Sequence, residues 1–477
     1  MWTWSLKATL RSFGRTLLRG LWGRLLVYPH LLRHERSAQD LNRYIADRAR
    51  RLGVDVAADG TRLRLAGPHG PHGPHGPHDA NGPHGPHGAF TTKAMLREHP
   101  ERFLRRRAPG SLLRATIRTS GTSGTPLSLV QTLGAVIREE GFVQRQLRWI
   151  GWRPGERRAW IRGDIVCAAR PPDGRYWCHD RWGRMLLMSS YHLSEATIGA
   201  YVDALERYDP VVLHAYPSSV AALAAWLDAH GRRYRGRALR GLLTSSETLE
   251  PGVRALAERS FGVRVFDWYG QAERVAAIGT CEAGSYHVLT DYGGVELLAG
   301  ADQPADSTGD STTEGGMEGG MEGGTEGGAD GASERTYELV GTTLNNPAMP
   351  LARYRTGDRV VPGDGRPCAC GRVFPTVARV IGRQERSIQL PDGRIVTRLD
   401  RVFQGHDRHL IEGQVLYGND GRFRLRVVAT PGFTAAHETA LIAAFLLRVP
   451  GVEVGVERVP AIARGPNGKF EFIAIEA

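Results

Sequence analysis

The spacing of apolar and polar positions between residues 130 and 262 predicts helices that alternate with short strands. Residues 218–230 follow a proline and carry apolar side chains on one helical face, which predicts an amphipathic helix. Three short apolar runs predict buried strands: 211–215, 242–244 and 263–268. Because strands and helices alternate along the chain, we expect an α/β architecture in which helices cover β-sheets.

After residue 382 the chain changes to shorter and more charged units. Short strands are predicted at 387–390 and 394–397, on either side of a Pro-Asp-Gly turn. This change predicts a small, mobile α+β domain that acts as a lid. The predicted division of the chain is an N-terminal helical region 1–66, a low-complexity linker 67–88, a large domain 89–381 and a lid domain 382–477.

Two low-complexity segments interrupt the pattern. Residues 67–88 repeat Gly-Pro-His, and the regular prolines exclude a helix there. Expansion of a simple repeat and metal capture by its histidines are both open for this tract. Residues 302–335 are rich in Glu, Asp and Gly and predict a disordered acidic insert. The segments 293–298 and 336–344 on its two sides have strand character, so the insert is expected to extend a hairpin tip.

The composition limits the function classes. A net charge of +12 comes from 62 Lys and Arg against 50 Asp and Glu, but the arginines are scattered and no basic tract with interleaved aromatics predicts nucleic-acid binding. Five cysteines in 477 residues are too few for a disulfide framework, which predicts a reducing, cytoplasmic location. A chain of this length exceeds a single hydrophobic core, so at least two domains are expected. The sequence does not indicate an oligomeric state.

Residues 1–32 interleave Leu and Trp with Lys and Arg. The basic residues interrupt any apolar run, so this segment is neither a secretory signal nor a membrane-spanning helix of about 18 residues. It predicts an amphipathic helix. Two arrangements are open: the helix packs on the body of the protein, or residues 1–30 make peripheral contact with an anionic membrane surface.

The segment 118–129 reads Arg-Thr-Ser-Gly-Thr-Ser-Gly-Thr-Pro-Leu-Ser-Leu and predicts an anion-binding loop. Gly121 and Gly124 permit a close approach of the backbone to a phosphate. Hydroxyl groups that can donate to phosphate oxygens surround them: Thr119, Ser120, Thr122, Ser123 and Thr125. The G-x-x-x-x-G-K-[ST] pattern is absent, so this is not a Walker loop, and a plain Ser/Gly/Thr turn is the alternative.

Five further motifs follow this loop in order. They are Leu-Thr-Ser-Ser-Glu-Thr-Leu-Glu-Pro at 243–251, Phe-Asp-Trp-Tyr-Gly-Gln-Ala-Glu at 266–273, Leu-Ala-Arg-Tyr-Arg-Thr-Gly-Asp at 351–358, Val-Ile-Gly-Arg-Gln-Glu-Arg at 380–386 and Ala-Arg-Gly-Pro-Asn-Gly-Lys-Phe at 463–470. This succession resembles the adenylate-forming superfamily of acyl-CoA and aryl-CoA ligases, and within it the phenylacetate–CoA ligase-like family. The resemblance runs from about residue 90 to the C-terminus, without the acidic insert. It implies a large α/β domain with a mobile α+β lid, and ATP-dependent activation of a carboxylic acid through an acyl-adenylate.

The resemblance also implies roles for individual residues that bind the nucleotide. The loop 119–125 would hold the β- and γ-phosphates of ATP. Ser245, Ser246 and Glu247 would border the adenine, and Tyr269 would offer it an aromatic face. Asp358 would accept hydrogen bonds from the ribose hydroxyls, and Gly357 before it permits a sharp turn.

Four further roles concern the reaction and the domain junction. Glu273 resembles the glutamate that positions Mg²⁺ near the phosphates, a hard cation that suits a carboxylate oxygen. Lys469 resembles the lysine that bridges the carboxylate and the α-phosphate during adenylation. Arg383 resembles the junction arginine that contacts the nucleotide. Glu385 occupies the hinge position, where the family usually has Asp.

Two more groups of residues complete the expected site. Thiolates and an imidazole in a reducing compartment suit tetrahedral Zn²⁺, and the chain offers Cys281, His287, Cys368 and Cys370. Family members can carry zinc at matching positions, and free buried thiols are the alternative. The segment 211–219 resembles the family's substrate-lining segment, so His214 and Tyr216 are candidates for the acyl pocket. Aromatic residues there favour an apolar or aryl acid.

The acceptor of the activated acyl group is left open by the sequence. Residues 387–396 read Ser-Ile-Gln-Leu-Pro-Asp-Gly-Arg-Ile-Val, a phrase similar to the branch of the family associated with capsular polysaccharide biosynthesis. Coenzyme A ligases of the family usually have a glycine-bearing loop at this place. Coenzyme A is the first expected acceptor, and an amine or hydroxyl in polysaccharide or secondary metabolism is the second. A non-catalytic scaffold that keeps the fold is the third hypothesis.

Overall fold

The computed structural model describes most of the chain. The described residues are 27–57, 59–66, 90–105, 113–119, 127–168, 170–299, 335–382, 388–396, 399–403, 409–429, 432–460 and 472–476, together with Gly23 and Ile462. The Gly-Pro-His linker, residues 1–22 of the expected N-terminal helix and residues 302–334 of the acidic insert lie outside them. The predictions made for those segments therefore stay predictions.

The described elements alternate as the sequence pattern predicts over the middle of the chain. The α-helices are α1 (Tyr28–His34), α2 (Ala38–Leu52), α3 (Lys93–Glu98), α4 (Pro100–Phe103), α5 (Leu133–Trp149), α6 (Glu195–Tyr208), α7 (Pro217–Ala229), α8 (Pro251–Phe261) and α9 (Ala435–Leu446). The strands up to residue 299 are β1 (Arg64–Ala66), β2 (Arg114–Thr119), β3 (Leu127–Thr132), β4 (Arg158–Arg162), β5 (Trp177–Asp180), β6 (Met185–Ser189), β7 (Val212–Ala215), β8 (Gly241–Ser245), β9 (Arg264–Gly270), β10 (Ala277–Thr280), β11 (Tyr286–Val288) and β12 (Gly293–Ala299). The later strands are β13 (Tyr337–Thr343), β14 (Tyr354–Pro362), β15 (Thr376–Gly382), β16 (Ile388–Gln389), β17 (Ile395–Val396), β18 (Leu410–Tyr417), β19 (Phe423–Ala429), β20 (Val454–Arg458) and β21 (Ile473–Ile475).

Thirteen of the described strands form one sheet in the order β1-β12-β13-β14-β15-β11-β10-β9-β8-β7-β4-β6-β5. The strands β6, β4, β7, β8 and β9 pair in parallel. Every residue of β7 and β8 is buried, as expected for parallel strands that helices cover. The predicted strands at 211–215, 242–244 and 263–268 are therefore confirmed, and the α/β class with them.

The helices of this half pack their apolar faces on the parallel strands. The predicted helix at 218–230 is α7, which begins at a proline that needs no helical N–H donor. Its buried residues join one core with α6, α8 and the strands beneath them, through side chains such as Val220, Leu223, Tyr201 and Phe261. Burial of these apolar surfaces is the main stabilising force of this half.

The other half of the sheet is mainly antiparallel. Strands β12 and β13 pair along their whole length, from Gly293 opposite Thr343 to Ala299 opposite Tyr337. They are the two strand-like segments predicted on either side of the acidic insert, so their pairing as a hairpin is confirmed. Three residues at the end of the N-terminal region, Arg64–Ala66, add β1 in parallel to the free edge of β12.

The chain after residue 387 forms a second, smaller sheet in the order β20-β19-β18-β21. Its core contains α9 and apolar residues from Ile388 to Ile473, and none of the buried residues of this core precedes Ile388. The predicted boundary after residue 382 falls between this core and the large sheet, and the exact domain bounds stay a prediction. The two lobes touch where the Arg448 guanidinium lies 6.0 Å from the ring centroid of Tyr191.

Among the described helices, none combines the length and the apolar character that a crossing of the bilayer needs. The described part of the N-terminal region is helical at α1 and α2, and its buried residues Leu31, Leu41 and Ile45 pack against the large sheet. The membrane contact expected of residues 1–30 concerns a segment that lies almost entirely outside the described residues.

Candidate functional site

The register of the parallel strands lines up the motif residues at one edge of the sheet. Ile161 pairs with Ala215, Ala215 with Thr244, and Thr244 with Asp267, which makes one continuous row across β4, β7, β8 and β9. The residues that follow this row lie beyond the carboxyl ends of the strands. Ligands of open α/β sheets bind at this edge. We call it the strand-end site, and its described members are Arg162, His214, Tyr216, Ser245, Ser246, Glu247, Tyr269, Glu273 and Asp358.

Asp358 is presented to this edge by an irregularity between β13 and β14. The pairs Val340–Arg355 and Glu338–Arg359 enclose one residue on β13 but three on β14, so β14 bulges outward at 356–358. Gly357 has a φ of +73°, the left-handed conformation that glycine adopts without strain, as the Gly-Asp sequence predicts. The Tyr269 hydroxyl donates to Oδ2 of Asp358 at 2.8 Å. Two motifs that lie 89 residues apart in the chain therefore meet.

Glu273 lies in the turn between β9 and β10 and is 8% exposed. The Tyr354 hydroxyl donates to its Oε1 at 2.8 Å. Hydrogen bonds of the two residues next to Glu273 fix this turn. Nε2 of Gln131 donates to the Ala272 carbonyl at 3.2 Å, and the Arg274 guanidinium donates to the Ala135 carbonyl at 2.8 Å. Glu273 thus offers a carboxylate in a rigid position at the same end of the sheet as Asp358.

The Ser-Ser-Glu segment turns sharply after β8. Ser246 has a φ of +73°, which is strained for a residue with a side chain. Glu247 accepts a hydrogen bond from the Ser218 backbone N–H at 2.9 Å, at the N-terminus of α7, where a carboxylate is favoured by the helix dipole. This contact ties the turn after β8 to the helix that follows β7, and leaves the exposed Ser246 at the rim of the site.

The two acyl-pocket candidates lie side by side at the end of β7. His214 is buried, and its Nε2 lies 3.1 Å from Oγ of Ser245. Burial lowers the pKa of His214 well below its usual value, and the positive charges of Arg162 and Arg158 add to this effect, so the imidazole is neutral at pH 7. Tyr216 is 1% exposed.

A further residue of the site, Arg162, was not identified from the sequence. It is the last residue of β4, and its Nη1 lies 3.4 Å from Nε2 of His214. Its Nη2 donates to Oγ of Ser246. An arginine in an arginine-rich chain carries no sequence signal of its own, and only the strand order places it next to His214.

The cysteine–histidine cluster, defined as Cys281, His287, Cys368 and Cys370, is brought together by β10, β11 and the loop before β15. Its four ligand atoms all lie within 4.8 Å of one another. Sγ of Cys281 is 3.7 Å from Sγ of Cys368, close to the edge of about 3.8 Å of a tetrahedron with Zn–S bonds of about 2.3 Å. Sγ of Cys370 is 3.2 Å from Nε2 of His287.

The histidine of the cluster is in the protonation state that a metal ligand requires. The Nδ1 of His287 lies 3.1 Å from the Phe374 carbonyl, and donation to this oxygen leaves Nε2 as the lone-pair nitrogen that faces the cysteines. Burial lowers the pKa of His287 to about 4, so the ring is neutral. Burial raises the pKa of Cys281 to about 12. Burial acts in the same direction on Cys368, but hydrogen bonds from the Cys370 backbone and with Ser285 lower its pKa overall.

The residues that follow α1 contact the loop of the cysteine–histidine cluster directly. The backbone N–H of Val373 donates to the Glu35 carbonyl at 3.0 Å, and Nη1 of Arg36 donates to the Cys370 carbonyl at 3.3 Å. The Glu35 carboxylate accepts a hydrogen bond from Nε1 of Trp149 at 2.9 Å. The loop that carries two of the cysteines is therefore held between α1 and the large sheet.

Several predicted site residues belong to segments that the structure does not describe. The side chain of Thr119 at the end of β2 and residues 120–126 lie outside the described residues, as do Arg383, Glu385 and Lys469. Their roles stay predictions. The predicted site residues that the structure does describe form two groups on one sheet, the strand-end site and the cysteine–histidine cluster.

Comparisons with known proteins find a distant curated relative. No family model matches the chain. Protein CapK of Staphylococcus aureus is 18% identical over 282 residues, which are 59% of this chain and 56% of that protein. The chain thus spans a little over half the length of the curated relative it matches.

Solved structures match over more of the chain. A 2-hydroxyisobutyryl-CoA ligase in complex with 2-HIB-AMP and CoA matches with a TM-score of 0.43 and 17% identity, over 81% of this chain and 80% of that one. The amide bond synthetase McbA from Marinactinospora thermotolerans matches with a TM-score of 0.35 and 16% identity, over 75% and 67% of the two chains. The chain resembles adenylate-forming ligases in the order of its motifs.

Proposed function

We propose that this protein is an ATP-dependent ligase that activates a carboxylic acid as an acyl-adenylate. The observation that carries the proposal is the contact between Tyr269 and Asp358 at the carboxyl ends of the strands, with the buried Glu273 held at the same edge. These residues come from separate motifs, and each has the chemistry that one part of ATP requires.

The nucleotide would be held by groups from three strands. Asp358 would accept hydrogen bonds from the ribose hydroxyls through its carboxylate, whose Oδ2 also accepts the bond from Tyr269. Tyr269 is fixed by the same hydrogen bond, so its ring is oriented for stacking on the adenine. The turn at 245–247 borders the base, and the loop 119–125 is proposed for the terminal phosphates.

The reaction needs stabilisation of negative charge rather than covalent help from the protein. A carboxylate oxygen of the acid attacks the α-phosphorus, a new O–P bond forms, and pyrophosphate leaves with the electrons of the broken bond. Glu273 would hold Mg²⁺, which suits carboxylate ligands and offsets charge on the phosphates. Lys469 would bring a further positive charge when the lid closes.

The activated acyl group is then passed to a nucleophile. We propose the thiol of coenzyme A as the first candidate: its sulfur attacks the acyl carbon, AMP leaves, and the thiol proton goes to solvent. The alternative acceptor is an amine or hydroxyl group. The resemblance of residues 387–396 to the branch associated with capsular polysaccharide biosynthesis favours this alternative.

We further propose that the cysteine–histidine cluster holds a structural Zn²⁺. Three thiolates and one imidazole provide the four ligands of a closed tetrahedral site, with no open position for a substrate. The fit is supported by the sulfur separation of 3.7 Å and by the hydrogen bond between His287 Nδ1 and the Phe374 carbonyl, which leaves Nε2 to face the cysteines.

The decisive test is carboxylate-dependent exchange of labelled pyrophosphate into ATP, with a panel of aryl, aliphatic and dicarboxylic acids. We expect exchange with at least one acid. The assay reports adenylation alone, so its result does not depend on which acceptor receives the acyl group. Addition of coenzyme A to the same mixture should release AMP with a thioester product. Exchange without a thioester would favour the amine or hydroxyl acceptor. The absence of exchange with every acid, together with no ATP binding by calorimetry, would overturn the proposal.

A further inference from the structure

The sheet edge opposite the strand-end site brings four segments of the chain together. Paired residues at the amino-terminal ends of β6, β4, β7 and β8 mark this edge: Met185, Arg158, Val212 and Gly241. The residues just before this row are joined through their backbones. The Arg158 N–H donates to the Arg184 carbonyl at 3.0 Å, and the Val211 N–H donates to the Arg157 carbonyl at 2.9 Å. The Arg240 N–H donates to the Val211 carbonyl at 2.9 Å, so the segments that enter these strands lie side by side.

We call these four segments the basic edge, and they are 151–157, 181–184, 203–209 and 228–240. They contain ten arginines and five acidic residues. Nine of the arginines are exposed: Arg153, Arg157, Arg181, Arg184, Arg207, Arg233, Arg235, Arg237 and Arg240. Arginines that are scattered along the sequence are therefore gathered at one edge by the order of the strands.

The acidic side chains of the basic edge do not cancel its charge. Glu156 pairs with Arg240 at 2.9 Å, and Glu206 pairs with Arg232 at 3.2 Å. Ten positive charges against five negative charges give these 31 residues +5 of the chain's net charge of +12, with histidine neutral. A small part of the chain thus carries a large share of its positive charge, and an anionic partner is the complement of such a surface.

The turn between β5 and β6 presents a tryptophan at the basic edge. Trp182 is 64% exposed, and the exposed Arg181 and Arg184 lie on either side of it in the chain. The turn is fixed, because the backbone N–H groups of Trp182 and Gly183 donate to Oδ1 of the buried Asp180 at 3.1 and 3.0 Å. Among the exposed large hydrophobic side chains of the described residues, Trp182 alone is aromatic. An indole ring held in water beside cations suits the boundary between water and lipid headgroups.

We propose that the basic edge is a docking surface for a membrane that contains anionic lipids. Arginine pairs with phosphate groups through its planar fork of donors, and a basic surface is attracted to an anionic leaflet. The indole of Trp182 adds apolar contact at the level of the headgroups. This surface is distinct from residues 1–30, for which the sequence predicts peripheral contact, and the inference does not depend on the proposed function.

A membrane fits the basic edge better than a nucleic acid does. Proteins that hold single strands stack successive bases on several aromatic rings, whereas Trp182 is the one exposed large hydrophobic ring of this edge. Proteins that read a duplex insert a helix or a β-ribbon into a groove. Here the charges are spread over the entrances of four strands, which suits an extended anionic surface.

Docking through the basic edge would also orient the molecule. Parallel strands have their amino-terminal ends at one edge of the sheet and their carboxyl ends at the other. The strand-end site would therefore face away from the membrane, so solutes would reach it from water and not from the bilayer.

The test is co-sedimentation of the full-length protein with large lipid vesicles. Vesicles of phosphatidylcholine alone are compared with vesicles that contain about 30% phosphatidylglycerol, in about 0.1 M salt. We expect the apparent affinity for the anionic vesicles to be at least about tenfold higher. It should fall at least about tenfold when the salt is raised to about 0.5 M, because salt screens exposed charges.

Two variants that each lack four arginines locate the contact. The edge variant carries glutamine at exposed positions of the basic edge: Arg181, Arg184, Arg235 and Arg237. The matched control carries glutamine at exposed positions elsewhere: Arg43, Arg51, Arg366 and Arg422. The edge variant should bind anionic vesicles about 10- to 100-fold more weakly, and the control should change less than about threefold. Trp182→Ala keeps every charge and should weaken binding about five- to tenfold. Circular dichroism verifies that each variant is folded.

Each outcome decides for or against the inference. Weaker binding by the edge variant and by Trp182→Ala, with the control unchanged, supports it. Equal binding to both kinds of vesicle, or an equal loss in the two fourfold variants, would overturn it. Binding that the edge variant keeps in full would assign the contact to another segment, such as residues 1–30, and would overturn it as well. Binding to DNA without binding to vesicles would replace the membrane by a nucleic acid. None of these results depends on adenylation, so the inference and the proposed function fail separately.

Discussion

The strand-end site and the cysteine–histidine cluster lie on the same large sheet but are built in opposite ways. The cluster is enclosed between α1 and the sheet, and its His287 is fully buried and neutral. The strand-end site reaches the surface at Ser246, carries the charge of Arg162 and contains a strained backbone position. A closed set of ligands suits a structural metal, whereas a charged site that opens to the surface at one rim and contains a strained backbone position suits a substrate that must enter and leave.

This difference leads to a general expectation. Changes in the strand-end site should alter chemistry and leave the fold intact. Changes in the cluster should alter the fold first, and activity only as a consequence. Each prediction below tests one side of this division.

The largest effect is expected for Glu273→Gln. The substitution keeps the shape of the side chain and its bond with Tyr354, but it removes the charge proposed to hold Mg²⁺. Pyrophosphate exchange should fall about 10²- to 10³-fold, a range typical for loss of one electrostatic contact in a transition state. Thermal unfolding should be almost unchanged.

The matched control is Glu453→Gln in the smaller lobe, where the carboxylate is exposed and pairs with Arg422 at 2.6 Å. It should leave exchange at the wild-type rate, because an exposed ion pair contributes little. If Glu273→Gln also exchanges at the wild-type rate, Glu273 has no role in catalysis.

The second effect concerns Cys370→Ser, which removes one ligand from the cluster. The bound zinc should fall from about one per chain to a small fraction, as measured by elemental analysis of the purified protein. Arg36 donates to the Cys370 carbonyl, and the Val373 backbone donates to the Glu35 carbonyl, so the cysteine loop holds the end of α1 in place. Loss of the metal should therefore also expose α1 to limited proteolysis. Chelation of the wild type should reproduce both changes.

The control for this variant is Cys178→Ser, which changes a cysteine of β5 at the far edge of the sheet. Zinc content and the proteolytic pattern should then match the wild type. Zinc retained in full by Cys370→Ser would show that the four residues do not bind the metal together.

The third effect is on nucleotide binding. Tyr269→Phe removes the hydrogen bond of 2.8 Å to Asp358 but keeps the ring proposed to stack on adenine. We expect KM for ATP to rise about five- to tenfold, which corresponds to the roughly 1 kcal/mol of one hydrogen bond, with kcat little changed. Tyr286→Phe is the matched control, since its hydroxyl bonds to Asp267 in the core of the same sheet. It should lower stability and leave KM for ATP unchanged, and a rise in KM for both variants would contradict the assignment.

The sequence predicted which residues belong to the strand-end site and to the cysteine–histidine cluster better than it predicted which of these residues contact one another. The motif order named Asp358, Glu273 and Tyr269, which the structure brings to one edge of the sheet, and at Gly357 the chain forms a bulge within β14 with a positive φ instead of the expected sharp turn. The bulge opposite Leu339 and the donation from Tyr354 to Glu273 depend on strand pairing between segments 17 and 81 residues apart, which local patterns do not encode. Arg162 was missed for the same reason, because β4 lies beside β7 only through a crossover in the sheet order.

The smallest effect concerns the pH dependence of stability through His214. Burial lowers its folded-state pKa well below the value of 6.5 that it has when unfolded. The unfolded chain therefore binds more protons at acid pH. The contribution of His214 is present in full above pH 6.5 and is lost as the pH falls toward the folded-state pKa. The loss has a limiting slope of about 1.4 kcal/mol per pH unit.

His214→Gln should remove this slope, and denaturant unfolding at pH 7, 6 and 5 measures it. The variant is expected to lose less stability between pH 7 and 5 than the wild type, by about 2 kcal/mol. His230→Gln, at an exposed position after α7, should lose the same amount as the wild type. Parallel curves for wild type and His214→Gln would mean that His214 takes up a proton in the folded protein as readily as in the unfolded chain, which would place a second positive charge beside Arg162 at acid pH. The strand-end site would then be more cationic than its geometry indicates, and the division between the two sites would be sharper.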